Sequence, residues 1–297
     1  MVSQNKSPGM KFREALKLDQ PLQIVGAINA LAAMIVKRVG FKAIYLSGAG
    51  VANASYGLPD LGITTLDNVA EDARRITDAV DLPLIVDIDT GYGGVALTIA
   101  RTIKTLEKVG VAGVHMEDQK VFKRCGHRPN KVVVTAEEMC DRLKAALDAR
   151  RDPDFFIIAR TDAFAIEGME GVLKRAKMYE NVGADAIFPD ALTSLEQYKE
   201  LNENISIPIL ANITEFGMTP FFTLEELRSV KVGMVLYPLS AFRAMYKAAE
   251  EVYSTILHQG SQKAVVDKMQ TRAELYDILN YEYYESYFDK LYGDEGI

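Results

Sequence analysis

Residues 82–94 read LPLIVDIDTGYGG, and the fold turns on that stretch. Leu84, Ile85 and Val86 follow one another with no polar interruption, and two aspartates, Asp87 and Asp89, come next with Ile88 between them. A strand wetted on one face alternates apolar with polar residues, whereas a strand covered on both faces carries an unbroken apolar run. The stretch therefore reads as a buried parallel strand with carboxylates at its C-terminal end. Two residues apart on a strand, the carboxylates point to one face.

Seven further runs have the same character. LQIVGAI (22–28) and KAIYLSG (42–48) precede it; AGVHMED (112–118), FFIIART (155–161), AIFPDA (186–191), PILANIT (208–214) and MVLYPLS (234–240) follow. Between them TLDNVAEDARRITDAV, ALTIARTIKTLEKVG and TAEEMCDRLKAALDARR repeat apolar residues every three or four positions, as a helix with one buried face requires. Gly40, Gly110 and Gly183 each stand where a helix ends before a strand, the place for a left-handed residue. Hairpin turn signals are missing. Eight strand-and-helix units predict an α/β chain of the (β/α)8 TIM-barrel type, one domain over residues 1–297 with a helical extension at about 241–292. A doubly wound open sheet is the rival, but no GxGxxG follows the first strand.

Composition agrees. The 297 residues are 48% apolar and 25% charged, which excludes disorder, collagen and coiled coil. A formal charge of −7 without a basic run predicts no nucleic-acid partner. Two cysteines, Cys125 and Cys140, build no disulfide framework, and MVSQNKSPGM does not resemble an export signal, so a cytoplasmic setting is expected. No apolar run approaches the ~20 residues of a membrane span. The last segment carries Leu275, Tyr276, Leu279, Tyr283, Tyr284, Tyr287 and Phe288, which predicts either a subunit interface or a core-packed C-terminal helix.

In parallel barrels the chemistry sits where strands end at their C-terminal side. Polar residues there are Ser47, Asp87, Asp89, His115, Glu117, Asp118, Arg160, Asp162, Asp190, Asn212, Thr214 and Glu215, with Ser240 and Arg243 after the eighth strand. Converging carboxylates repel unless a cation neutralises them. Asp87 and Asp89, with Glu117 near and no histidine cluster, offer hard oxygens suited to Mg²⁺ or Mn²⁺; a solvated surface pair is the alternative, disfavoured by the apolar run before it. KRCGHRPNK (123–131) sets Cys125 among cations that lower a thiol pKa, unless it is only a solvated basic turn. Arg160, Arg243 and Arg272, beside Asn212 and Thr214, suit the carboxylates of a small di- or tricarboxylate. Ser47 and Gly48 offer donors to the same ligand.

Taken together, YLSGAG, VDIDTGYG, MEDQ, KRCGHRPNK, ARTDA, ANITEFG and LYPLSAFRAM resemble the isocitrate lyase and phosphoenolpyruvate mutase superfamily from about Phe12 to Tyr287. KRCGH is specific to its lyases, and RPNK after it is similar to the methylisocitrate lyase branch. The resemblance implies a barrel whose last helix is exchanged between subunits, commonly in a homotetramer, and Mg²⁺-dependent cleavage of 2-methylisocitrate to pyruvate and succinate, as in propionate breakdown by the methylcitrate cycle. It implies metal binding by Asp87 and Asp89. Substrate contacts fall on Ser47, Gly48, Ala49, Cys125, Gly126, Arg160, Asp190, Asn212, Ile213, Thr214, Arg243 and Arg272. Cys125 would be the general acid, tuned by His127 and Arg124, with Arg160 holding developing charge, Glu117 in the metal shell, and closure of the segment near 120–131 excluding water. Tyr45 is the first choice for the base and a metal-linked carboxylate the second. Asp190 stands where these lyases usually have Glu, and Ala49 where a Gly is common.

Three rivals remain at this level. Isocitrate differs by one methyl, which a pocket discriminates by only ~1–3 kcal/mol; Phe188, Leu236 and Pro238 are candidate walls for that methyl or ordinary core. Another superfamily reaction, such as oxaloacetate hydrolysis or phosphonopyruvate chemistry, is opposed by Cys125. A non-enzymatic barrel is opposed by the joint presence of aspartates, cysteine loop and arginines.

Overall fold

The computed structural model describes residues 6–120 and 131–293. All eight expected strands form: β1 (Leu22–Gly26), β2 (Ala43–Leu46), β3 (Leu84–Asp87), β4 (Gly113–Glu117), β5 (Phe156–Thr161), β6 (Ala186–Pro189), β7 (Leu210–Asn212) and β8 (Met234–Tyr237). β5 runs to the end of its quoted run at Thr161; the other seven stop short of theirs, and in all but β1, which leaves Ala27 and Ile28, polar residues are among those that pass into the loop. The strands pair in parallel in the order β6-β5-β4-β3-β2-β1-β8-β7. A parallel bridge between Ile187 and Ile209 brings β6 back to β7. The sheet is thus a nearly closed (β/α)8 barrel, not an open doubly wound one. Gly40, Gly110 and Gly183 have φ of 107°, 82° and 110°, the left-handed geometry expected at helix ends.

Alternate strand residues point inward. Ile24, Tyr45, Ile85, Phe156, Ile158, Phe188 and Leu236 fill the barrel, while Ile44, Leu46, Val86, Val114, Ile157 and Ile187 pack outward under the helices. The floor is a helix that the strand pattern did not announce, Pro8–Leu18. Its Phe12 is fully buried and meets the Phe156 ring edge-on at 4.9 Å. Arg13 lies over the same ring and pairs with Asp185 at 2.7 Å. This plug closes the N-terminal end, so a ligand of the barrel enters at the C-terminal mouth.

Of the two readings of the C-terminal segment, the core-packed helix is not what forms. The helices Ser240–Gln259, Arg272–Leu279 and Tyr281–Tyr292 contain no buried residue. Tyr253 is 72% and Leu257 79% exposed, far more than a helix closing a barrel would leave wet. Arg272–Leu279 leans on the outer helix Ala30–Val39, with Arg38 and Asp277 paired at 2.6 Å. No helix among the described residues is long and apolar enough to cross a membrane.

Candidate active site at the mouth of the barrel

Asp87 ends β3, and Asp89 follows it in the left-handed region (φ 51°). The two carboxylates therefore share a face through a tight turn, not through strand alternation as the spacing predicted. Asp87 Oδ1 accepts from the Asp89 N–H (3.0 Å), and its Oδ2 accepts from the Gly48 N–H (3.2 Å). Both side chains border one notch. A Cβ on Gly48 would stand 3.1 Å from Asp87 Oδ2 and 3.4 Å from Asp89 Oδ1. A glycine keeps that space open beside a set of hard oxygens, and this fits a divalent cation such as Mg²⁺. Among the described residues no three His, Cys, Asp or Glu side chains form a ready ligand group. One or two carboxylates completed by water and substrate oxygens are how Mg²⁺ is commonly held. Gly48→Ala should weaken Mg²⁺ binding about tenfold, the scale of other disturbances beside metal ligands. Calorimetric titration checks it, and unchanged affinity would move the cation elsewhere.

Tyr45, inside β2, reaches across to β4, where its hydroxyl lies 2.8 Å from His115 Nε2. His115 is fully buried, packs edge-on against Phe188, and has Nε2 3.7 Å from Asp87 Oδ1. His115 Nε2 is thus in reach of both the Tyr45 phenol and the Asp87 carboxylate beside the notch.

Arg160 of β5 anchors the other side. Its guanidinium forks onto Asp162 (Nε to Oδ2 3.0 Å, Nη2 to Oδ1 3.2 Å), lies 3.4 Å from Glu117 Oε2 and 3.6 Å from Asp190 Oδ2, and covers the Phe188 ring at 5.0 Å. The Asp89 carbonyl accepts from the Glu117 N–H at 2.9 Å, which links this cluster to the notch. Lys131 is a member that sequence reading passed over: it reaches Asp162 Oδ1 at 3.0 Å and Asp190 Oδ2 at 3.6 Å with its side chain buried. Burial opposes charge throughout. For Asp162 the cations Arg160 and Lys131 overcome it and hold the carboxyl well below the usual range. For Arg160, Asp162, Asp190 and Glu117 overcome it and keep the guanidinium charged.

Ser47, Asn212, Ile213 and Thr214 are buried and Ala49 is half-buried. Ser47 leads directly into helical backbone over Gly48–Gly50. The Asn212 side-chain oxygen is buried with no hydrogen-bond partner among the described residues, an acceptor left over at the end of β7. Glu215 accepts from the Ser240 hydroxyl and lies 3.8 Å from Arg243, which is more exposed than Arg160. Arg272 does not join the cluster. It starts the exposed helix that leans on the barrel's outer surface. Cys125, Gly126 and His127 lie outside the described residues. Cys140 is a buried free thiol whose pKa burial pushes up, so it offers no nucleophile.

A plugged parallel barrel with an acidic notch and a buried guanidinium at its open mouth defines the class: a (β/α)8 enzyme for a small carboxylate, with its chemistry at the strand ends. The family model for phosphoenolpyruvate phosphomutase matches residues 12–257, and the chain belongs to this phosphoenolpyruvate mutase and isocitrate lyase family. It is 57% identical to the 2-methylisocitrate lyase of Escherichia coli, covering 96% of this chain and 97% of the relative. Against the 2-methylisocitrate lyase of Vibrio cholerae it is 60% identical, covering 96% and 94%. Among solved structures, 2,3-dimethylmalate lyase superposes with a TM-score of 0.89 at 30% identity, covering 98% of this chain and 99% of that one. Phosphonopyruvate hydrolase bound to oxalate and Mg²⁺ gives 0.83 at 27%, covering 97% and 99%.

Proposed function

We propose that this chain cleaves 2-methylisocitrate to pyruvate and succinate, with Asp87 and Asp89 holding Mg²⁺, or Mn²⁺ in its place. The observation that carries the reading is the Gly48 notch joined through Glu117 to Arg160, within a chain 57–60% identical to 2-methylisocitrate lyases. When bound, the divalent ion supplies the Lewis acidity that makes the substrate's α-hydroxyl acidic.

This chain's side chains do the rest. Tyr45 takes the hydroxyl proton while passing its own to His115 Nε2, 2.8 Å away, so the phenol need not stay ionised beforehand. The carbon–carbon bond breaks, the hydroxyl oxygen becomes the pyruvate ketone, and the electron pair settles on the carbon beside a succinate carboxylate. Arg160 holds that carboxylate as charge develops, and Asn212 and Thr214 orient the remainder from β7. Cys125 delivers the quenching proton, a role that rests on the resemblance of KRCGH to the lyases. Cys125→Ser should therefore retain substrate binding and lose turnover, because a serine hydroxyl is a far weaker acid; turnover at the wild-type rate would remove Cys125 from the mechanism. Phe188, under Arg160, and Leu236, paired with Asn212 across β7 and β8, supply an apolar wall for the substrate methyl.

The C-terminal helices supply the second half of the proposal. Twenty residues of Ser240–Gln259 without one buried side chain support a helix exchanged with a neighbouring barrel, as a homotetramer in the cytoplasm. One barrel domain with this extension accounts for the whole chain. The test of function is a coupled assay that follows pyruvate from 2-methylisocitrate and glyoxylate from isocitrate. Efficient pyruvate release with little glyoxylate supports the reading, and the reverse preference overturns it.

A further inference from the structure

Arg160 is oriented by Asp162, and Asp162 is itself held from behind. Asp118, the residue after β4, is fully buried. Its Oδ1 accepts from the backbone N–H of Asp162 at 2.9 Å. Its Oδ2 accepts from Thr161 Oγ1 (2.7 Å), Tyr179 Oη (2.9 Å) and Arg175 Nη1 (3.2 Å). Arg175 is braced in turn by Glu167 through two bonds of 2.8 and 2.6 Å. The backbone of Asp118 completes the tie: its N–H donates to the Arg160 carbonyl (3.2 Å) and its carbonyl accepts from Val134 (2.8 Å).

One side chain thus joins the ends of β4 and β5 to the helix Phe164–Val182. Thr161 and Asp162 are as fully buried as Asp118, and of the three donors at Oδ2 one ends β5 and two, Arg175 and Tyr179, come from the outer helix Phe164–Val182. Burying a carboxylate is unfavourable unless it is fully satisfied, and ordinary packing of a barrel shoulder asks for no charge. What this arrangement sets is the direction of the Asp162 backbone. That direction determines where the Asp162 carboxylate points, and with it the guanidinium forked onto it.

We propose that Asp118 is a positioning residue for the cleavage reaction, acting through Asp162 to aim Arg160 at the substrate carboxylate. The assignment rests on the role given to Arg160 above. The test compares the intact chain with Asp118→Asn, Arg160→Lys and the double variant, measuring kcat and KM on 2-methylisocitrate and isocitrate and, without turnover, affinity for succinate. Asparagine is nearly isosteric and can still accept from the Asp162 N–H, but it loses the charge and the acceptor facing three donors.

Asp118→Asn should lower kcat about 10- to 100-fold, the scale of a misaimed contact, with KM nearly unchanged. Added to Arg160→Lys it should cost almost nothing more, because residues acting through one group are not additive. The same loss factor in both backgrounds overturns the proposal, and so does an Arg160→Lys enzyme as fast as wild type. If Asp118→Asn does not fold, Tyr179→Phe removes a single donor; its smaller loss should likewise vanish in the Arg160→Lys background, and persistence there overturns the proposal. Turnover of isocitrate alone would refute the substrate reading, and the comparison of backgrounds would still be read on isocitrate.

Discussion

Asp87→Asn should lower kcat by about 10³-fold or more and abolish measurable Mg²⁺ binding, the combined loss of a ligand and of the electrostatic help the ion provides. Asp87 has two duties in the structure. Its oxygens accept from the N–H groups of Gly48 and Asp89, and this fixes the turn that brings the second carboxylate to the notch. An asparagine removes the charge and must place its NH₂ against one of those donors. Asp89→Asn keeps the turn and removes only charge, so it should bind Mg²⁺ weakly and be rescued in part by excess metal. Titration calorimetry with activity at graded Mg²⁺ distinguishes the two. Full activity of Asp87→Asn after EDTA treatment would end the cation assignment.

Arg160→Lys should lower kcat by about 10²- to 10³-fold, the usual loss when a preorganised donor at developing charge is removed. Charge is retained, but a lysine cannot make the fork onto Asp162 while also facing a carboxylate. Arg160→Ala is the harsher change. It leaves Asp162 and Asp190 with Lys131 as their ion-pair partner among the described residues, and breaking one side of such a buried cluster costs about 3–5 kcal/mol of stability. Thermal denaturation separates the two effects: the lysine variant should melt near wild type and the alanine variant well below it. An alanine variant with unchanged melting would mean that the cluster is wetter than its burial indicates.

The strands were legible because the chain buries them on both faces, so each appears as a largely apolar run whose polar residues, Gln23 of β1 and His115 of β4 aside, gather where it leaves the barrel. The candidate site was legible for the same reason: Asp87, Arg160 and Asn212 sit at those exits. The floor helix was missed because its inward residues, Phe12 and Ala15, are too few to form a stripe, although Ser7 capping the helix before Pro8 is a start signal that could have found it. The pairing of Asp87 with Asp89 was anticipated for the wrong reason, since strand alternation does not show that the second aspartate takes a left-handed turn. Lys131 reaches Asp162 and Asp190 across sequence distances no local pattern spans. Arg272 was grouped with Arg160 and Arg243 by residue type and by the family resemblance, and within one chain its helix lies on the outer surface.

Seven of the eight strand junctions are continuous ladders, while β6 and β7 meet through a lone bridge at Ile187 and Ile209. A cylinder with one lightly stitched side breathes there first, since local opening begins where the fewest bonds must part. Asp190 and Asn212 stand on opposite lips of that stitch. If Asp190 and Asn212 hold the ligand as proposed, amide exchange in β6 and β7 should slow once a bound molecule spans both lips.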